Sequence, residues 1–317
     1  MPEGMRSLML MTTYECQLRC AYCQVRRGRR RMDLATARRG VDLLLSSRAE
    51  RLQLNFFGGE PLLAWDLLRG IVAYAERRRG LRSLRYNLTT NGLLLDAQKI
   101  AFFKGLDSYV HLSLDGPCEA NAARLRGAGA GAQAVMENAL RALGDSGLPH
   151  HVNAVVDPDR AGSFDRDLLA LEGLGARHIQ FGYRVGVLWS PRASRELIAA
   201  LERHEAHGRA RLINLASDSE PVMLSREVIV DVDGGIYWDG AVFLEETLPL
   251  VRRALRLGSL DDIQDVDALE GAPRRPYERL LSAYPPDTPG GHVILNNIKL
   301  GLLLQRHWLK RRRAVVR

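Results

Sequence analysis

The chain has 317 residues, 46% of them hydrophobic and 26% charged, enough to bury one large core, or one core plus a small appendage. No apolar run approaches the ~20 residues that a spanning helix needs, and the N-terminus lacks a signal-peptide pattern, so neither a membrane span nor export is expected. The charge of +8 rests on arginine, with lysine only at Lys99, Lys104, Lys299 and Lys310, and 6% aromatic residues is low for a base-stacking platform, so nucleic acid is not the expected partner.

Six strand-like runs alternate with helical stretches. The first, residues 7–11, leads into Cys16, Cys20 and Cys23, three of only four cysteines in the chain. Asp33 is placed to cap the next helix, which carries Leu34, Ala37, Val41, Leu44 and Leu45 on one face. The second run, 52–57, enters Gly58-Gly59-Glu60-Pro61, and Leu63, Leu67, Leu68, Ile71 and Val72 mark the helix after it. The third, 84–88, ends in Thr89-Thr90-Asn91-Gly92, and the fourth, 110–114, in Asp115-Gly116-Pro117. A helix marked by Val135, Ala139, Leu140 and Leu143 precedes the fifth run, 151–156; the sixth is 178–182. This alternation means an α/β fold of parallel strands with right-handed crossovers. Six units are too few for a closed eight-stranded barrel, and ligands of such folds bind at the C-terminal strand ends. Every motif above lies at such an end.

A long helix is expected over about 193–214, then a hairpin at Asp233-Gly234-Gly235 between alternating apolar runs. A proline-rich connector, 284–291, leads to an amphipathic basic helix over about 293–312. Its end, Lys310-Arg311-Arg312-Arg313, reads as a solvated helix terminus that complements the dipole, with an anionic partner or membrane surface as the alternative.

Thiolates are soft ligands suited to zinc or iron–sulfur clusters. A structural zinc site wants four ligands, usually as two spaced pairs; here there are three, with no second half. Three ligands on a four-iron cube leave one iron open to a substrate or cofactor, which argues for chemistry over a structural clip.

The Cys-x3-Cys-x2-Cys spacing with Tyr22 before the last cysteine, the Gly-Gly-Glu-Pro loop and the third and fourth strand ends together resemble the radical S-adenosylmethionine (SAM) superfamily, over about residues 6–185. The resemblance implies a partial (β/α)6 TIM-like barrel, set at residues 1–215. It implies that Cys16, Cys20 and Cys23 hold a [4Fe-4S] cluster. It implies that SAM is bound by Tyr22, Gly58, Gly59, Glu60, Pro61, Thr90, Asn91, Ser113, Asp115 and Arg124. Gly58 and Gly59 would let backbone approach the ligand, since no Cβ intervenes. Glu60 would add negative charge near the SAM ammonium, and Pro61 would start the next helix. Thr90, Asn91, Ser113 and Asp115 match positions that line the ribose and carboxylate pocket. Asn-Gly and Asp-Gly also favour ordinary turns, and both readings stand for Asn91 and Asp115. Tyr22 either lies near the adenine or packs in the core. Arg124 would pair with the SAM carboxylate, although Asn121-Ala122-Ala123-Arg124 departs from the family's His-Asp-x-x-Arg and sets the arginine one position early.

Residues 216–265 resemble the SPASM extension of peptide-modifying members, in which a hairpin cysteine ligates an auxiliary cluster. No cysteine lies beyond Cys118, and Trp238 or Asp239 stands roughly in that place, so a small α+β extension without its metal is expected, followed by the connector and helix of 266–317. Cys118 reads as a bystander thiol. Gly127, Gly129 and Gly131 read as a flexible loop, and His204 and His207 as ordinary core or surface histidines.

The implied activity is reductive cleavage of SAM to a 5′-deoxyadenosyl radical that abstracts hydrogen from a peptide or protein. The implied partners are an acidic precursor peptide and a reductant such as flavodoxin or ferredoxin; the implied compartment is the cytoplasm. Arg26, Arg27, Arg29, Arg30 and Arg31 are solvated charge by default, but their place after the cluster loop points to substrate entry. The alternatives are action on a nucleic acid or small molecule, or a non-catalytic peptide-binding relative.

Overall fold

The computed structural model describes residues 5–215, 225–271 and 275–315, with side chains as far as residue 309. Its strands are β1 (Ser7–Thr13), β2 (Arg51–Gly58), β3 (Ser83–Thr90), β4 (Ser108–Ser113), β5 (His150–Val156), β6 (His178–Tyr183), β7 (Arg211–Leu212), β8 (Val228–Val230), β9 (Gly235–Trp238) and β10 (Arg256–Ser259). They form one ten-stranded sheet in the order β10-β9-β8-β1-β2-β3-β4-β5-β6-β7. Neighbours from β1 to β7 are all parallel, as helical crossovers require. β10 and β7 are the two ends of the order, so the barrel is open, a partial TIM-like barrel.

The first six strands match the expected runs to within two residues at either end; β4 starts two residues earlier than expected and ends one residue earlier, at Ser113. Asp33 caps helix Leu34–Leu45 by accepting from Thr36 N at 2.7 Å, and that helix buries Ala37, Gly40, Val41, Leu43 and Leu44. A Cβ on Gly40 would lie 2.8 Å from Leu10, so the absent side chain lets this helix settle onto β1. Helix Ala132–Ser146 buries Met136, Ala139, Leu140 and Leu143, while Val135 faces solvent. The expected stripe was therefore one residue out at its start.

Two other expectations need correction. The helix expected to reach residue 214 is Pro191–His207. Gly208 is extended there, the chain turns, and the apolar Leu212 belongs to the short strand β7. The last helix begins at Pro289, earlier than expected. Thr288 Oγ1 accepts from Gly291 N at 3.1 Å, which caps a helix opened by proline.

The hairpin β8–β9 forms as expected but is not a separate body. β8 pairs in parallel with β1, Leu8 opposite Val228 and Leu10 opposite Val230, so the extension continues the barrel sheet. The final helix buries Ile294, Leu300, Leu304 and Trp308. Asn297 is fully buried; its side chain accepts from Gly186 N at 2.8 Å and donates to the Val187 carbonyl at 2.7 Å, which stitches this helix to the segment after β6. The expected boundary at 215/216 borders residues outside the description, as do the side chains of Lys310–Arg313. Among the described residues no helix is long and apolar enough to cross a membrane.

Candidate functional site

β1 delivers the chain through Tyr14 and Glu15 into the cysteine loop at the C-terminal edge of the sheet. The loop is pinned by backbone bonds from Arg19 N to the Arg126 carbonyl and from Ala21 N to the Ala123 carbonyl, both 2.8 Å, and by the buried Leu18. Cys16, Cys20 and Cys23 are half-buried free thiols, and Cys118 is exposed. Burial pushes the Cys16 thiol up to about 12 and the Cys20 thiol up to about 11; the neighbouring thiols push in the same direction, while Arg124 offsets part of the rise at Cys20. Cys23 is raised by the same burial. These sulfurs therefore hold protons that a metal has to displace. Among the described residues no three His, Cys, Asp or Glu side chains are gathered to clasp a single ion. Three soft sulfur donors on one short loop are a donor set whose chemistry fits an iron–sulfur cluster.

The Gly-Gly-Glu-Pro loop after β2 packs directly against this segment. Gly59 N donates to the Thr13 carbonyl and Glu60 N to the Glu15 carbonyl, each at 2.8 Å. A Cβ on Gly58 would lie 2.5 Å from the Thr13 oxygen, and one on Gly59 would lie 2.3 Å from the Glu15 oxygen. Both glycines thus allow a close approach to the backbone leading into Cys16, in addition to the approach to a ligand expected of them. Pro61 opens a short 3-10 turn, Pro61–Ala64, before helix Trp65–Arg78.

Glu60 is fully buried and ties three strand ends together. Its Oε1 accepts from Thr90 Oγ1 at 2.8 Å and Leu62 N at 3.1 Å, and its Oε2 from Asn91 N at 2.8 Å. Burial outweighs these bonds and raises its pKa to about 7. Asn91 in turn donates from Nδ2 to Gln17 Oε1 at 3.2 Å and lies 3.8 Å from Cys16 Sγ, so the third strand end reaches the cysteine loop.

Tyr22 of the loop, half-buried, joins the buried Asp115 and Arg124 in a trio. The Tyr22 hydroxyl donates to Asp115 Oδ2. Arg124 donates to the same carboxylate from Nη2 at 2.6 Å and Nε at 3.2 Å, and Val155 N adds a bond at 2.9 Å. Arg124 also lies over the Tyr22 ring, 5.5 Å from its centre. Arg124, expected to pair with a SAM carboxylate, makes this bidentate pair with Asp115. The reason is proximity: the arginine lies in the turn that follows the short helix Cys118–Asn121, where the chain folds back beside Asp115. Ser113 sits half-buried at the end of β4, opposite Asn153 of β5.

The structure adds residues that sequence reasoning did not single out. Arg184, just after β6, donates to the Ala21 carbonyl at 3.3 Å and to Asp157 at 2.9 Å, joining the loop to the fifth and sixth strand ends. An arginine directly after a strand was the available signal. The rings of His111 and His151 lie 4.4 Å apart, tilted by 42°, on the side of β4 and β5 that also carries Ser113 and Asn153. Burial lowers them to about 3 and about 4, so both are neutral.

All five arginines of the run 26–31 are exposed. Arg27 donates to the Leu18 carbonyl at 3.2 Å, Arg30 covers the Tyr14 ring at 4.2 Å and Arg31 pairs with Glu15. Arg26 and Arg29 make no hydrogen bond or ion pair among the described residues.

Residues 10–161 match the family model of the radical SAM superfamily. PqqA peptide cyclase of Gluconobacter oxydans is 30% identical over 214 residues, 66% of this chain and 58% of that one. GTP 3′,8-cyclase of Rhodococcus opacus is 32% identical over 161 residues, 49% of this chain and 44% of that one. The chain thus spans about half the length of these curated relatives. Among solved structures, native anSMEcpe with bound AdoMet and Kp18Cys peptide superposes with a TM-score of 0.70 at 19% identity, covering 94% of this chain and 83% of that one. A cysteine loop, a Gly-Gly-Glu-Pro loop and an open parallel sheet, matched over residues 10–161 by the radical SAM superfamily model, give this chain a radical SAM domain.

Proposed function

We propose that this chain is a peptide- or protein-modifying radical SAM enzyme that carries one [4Fe-4S] cluster. The observation that carries the reading is the convergence of the β2, β3 and β4 strand ends on a loop that bears three thiols and no fourth ligand. Cys16, Cys20 and Cys23 would hold the cluster. With SAM, that cluster would supply radical chemistry able to take hydrogen from a substrate.

The chain's own residues bind and orient. Glu60 and Thr90 hold the edge of the site rigid, and Asn91 and Ser113 offer side chains at the strand ends. Asp115 and Arg124 hold the loop through Tyr22. Gly58 and Gly59 set the loop's height above the sheet. The neutral His111 and His151, deeper on the same side, favour an uncharged polar part of the substrate there, because no charge waits to neutralise an ion. At the surface, Arg26 and Arg29 are the members of the basic run open to an acidic peptide. A reductant such as flavodoxin or ferredoxin, in the reducing cytoplasm, suits a thiolate-held cluster.

A peptide substrate is supported by the peptide cyclase relative and by the fold shared with a peptide-bound structure. The GTP cyclase relative favours a second reading, a small-molecule substrate. One experiment separates them. The anaerobically reconstituted, reduced protein is given SAM with either GTP or the candidate precursor peptide encoded beside it. Stimulated 5′-deoxyadenosine formation and a mass change in the peptide alone support the first reading; stimulation by GTP alone overturns it.

A further inference from the structure

The cysteine loop is gripped from the C-terminal region as well as from the barrel. Tyr14, two residues before Cys16, is fully buried. Its hydroxyl donates to Asp231 Oδ1 at 2.8 Å and accepts from Arg252 Nη1 at 2.8 Å. Arg252 also pairs with the fully buried Asp231, lies 3.5 Å from Glu245 and covers the Tyr237 ring at 4.6 Å. Asp231 belongs to the β8–β9 turn, and Arg252 to the short helix Val251–Ala254. At the other end, Gln24 directly follows Cys23. Its Oε1 accepts from Thr247 Oγ1 at 2.8 Å and Thr247 N at 3.1 Å, and its carbonyl accepts from Glu246 N at 3.3 Å.

We propose that the C-terminal extension is a two-point clamp on the cysteine loop, with Tyr14 and Thr247 as positioning residues for the cluster. The proposal rests on reading that loop as the cluster site. With both ends fixed, the three sulfurs lose little further freedom when they take up iron. Freeing either end raises the local opening that exposes the cluster to solvent. An extension with no cysteine thus still serves the metal, through hydrogen bonds.

Two one-group substitutions test this without dismantling the buried ion pair. Tyr14→Phe removes the link to Asp231 and Arg252 but leaves those two paired. Thr247→Val removes one of the two bonds to Gln24 Oε1. Tyr86→Phe is the control, because it deletes a comparable bond, Tyr86 OH to Glu76 at 2.8 Å, away from the loop. In cluster-free protein, amide exchange of residues 16–23 should rise about fivefold in both test variants, the factor expected for one lost buried hydrogen bond. Iron loss from reconstituted protein to a chelator should accelerate by a similar factor, and the control should match wild type in both. Unchanged exchange in both test variants, or an equal rise in Tyr86→Phe, overturns the clamp. Because the exchange arm needs no cluster, it fails independently of the cluster reading, which falls if the wild type takes up no iron.

Discussion

The barrel mouth and the C-terminal extension both lean on β1, and they are held by different kinds of contact. At the mouth, polar groups at neighbouring strand ends bond to one another: Glu60 to Thr90 and Asn91, Asp115 to Arg124 and Tyr22. In the extension, a lateral strand pairing and the hydrogen bonds of Tyr14 to the Asp231–Arg252 ion pair join segments more than two hundred residues apart. The mouth is organised around open thiols; the extension has none and is organised around Asp231. The difference teaches that one region carries the chemistry while the other fixes where that chemistry stands.

The largest expected effect sharpens this division. Replacing Cys16, Cys20 and Cys23 by alanine should abolish cluster uptake and SAM cleavage, and Cys118→Ala should leave both intact, as read by iron analysis and 5′-deoxyadenosine formation. On the extension side, Arg252→Gln leaves Asp231 buried without its cation. That should cost about 3 kcal/mol of folding stability, measured by denaturant unfolding of the cluster-free protein. Gly59→Ala crosses the division, since its Cβ would meet the Glu15 oxygen at 2.3 Å. It should cost about 1–3 kcal/mol and lower iron loading along with SAM binding. Normal loading with weakened SAM binding would instead mean that Gly59 faces the ligand.

A pH effect is expected at the mouth. The folded state raises Glu60 from its ordinary 4.5 to about 7, so across that window the folded form holds a proton that the unfolded chain has released. Stability from this group is therefore fully present below 4.5 and is lost as pH rises through about 7. Glu60→Gln has no proton to release, and its stability should vary less across the same window; equal slopes would place the titration elsewhere. The smallest effect is at the surface. Arg26→Gln with Arg29→Gln should leave uncoupled SAM cleavage unchanged, raise KM for an acidic peptide and flatten its salt dependence, since exposed charges act over about 8 Å at physiological salt.

Legibility follows the range of the contacts. The six barrel strands and their motifs were readable because a buried strand and its terminal turn are encoded within ten residues or so. The helix after β6 was over-extended because Leu212 continues the apolar spacing beyond Gly208, and a two-residue strand has no period of its own. The stripe of helix Ala132–Ser146 was misread because Val135 and Met136 are both apolar and only packing chooses between them. Asp115 is recognisable as a polar strand-end residue and Arg124 as an arginine displaced from the family's pattern, but their mutual pairing is not, since either could face a ligand. Val228–Val230 reads as a strand, yet nothing local says that it pairs with β1. Tyr14 reads as an aromatic after a strand, and its tie to Arg252 is visible only in the folded chain.

The central claim is that three thiols and no others hold one four-iron cluster that activates SAM. Iron and sulfide analysis of the anaerobically reconstituted wild type, with 5′-deoxyadenosine measured on the same sample after reduction, tests it most directly. The expected result is ~4 iron per chain and 5′-deoxyadenosine formation. About eight iron per chain, or a loaded cluster that leaves SAM intact under reduction, would contradict it.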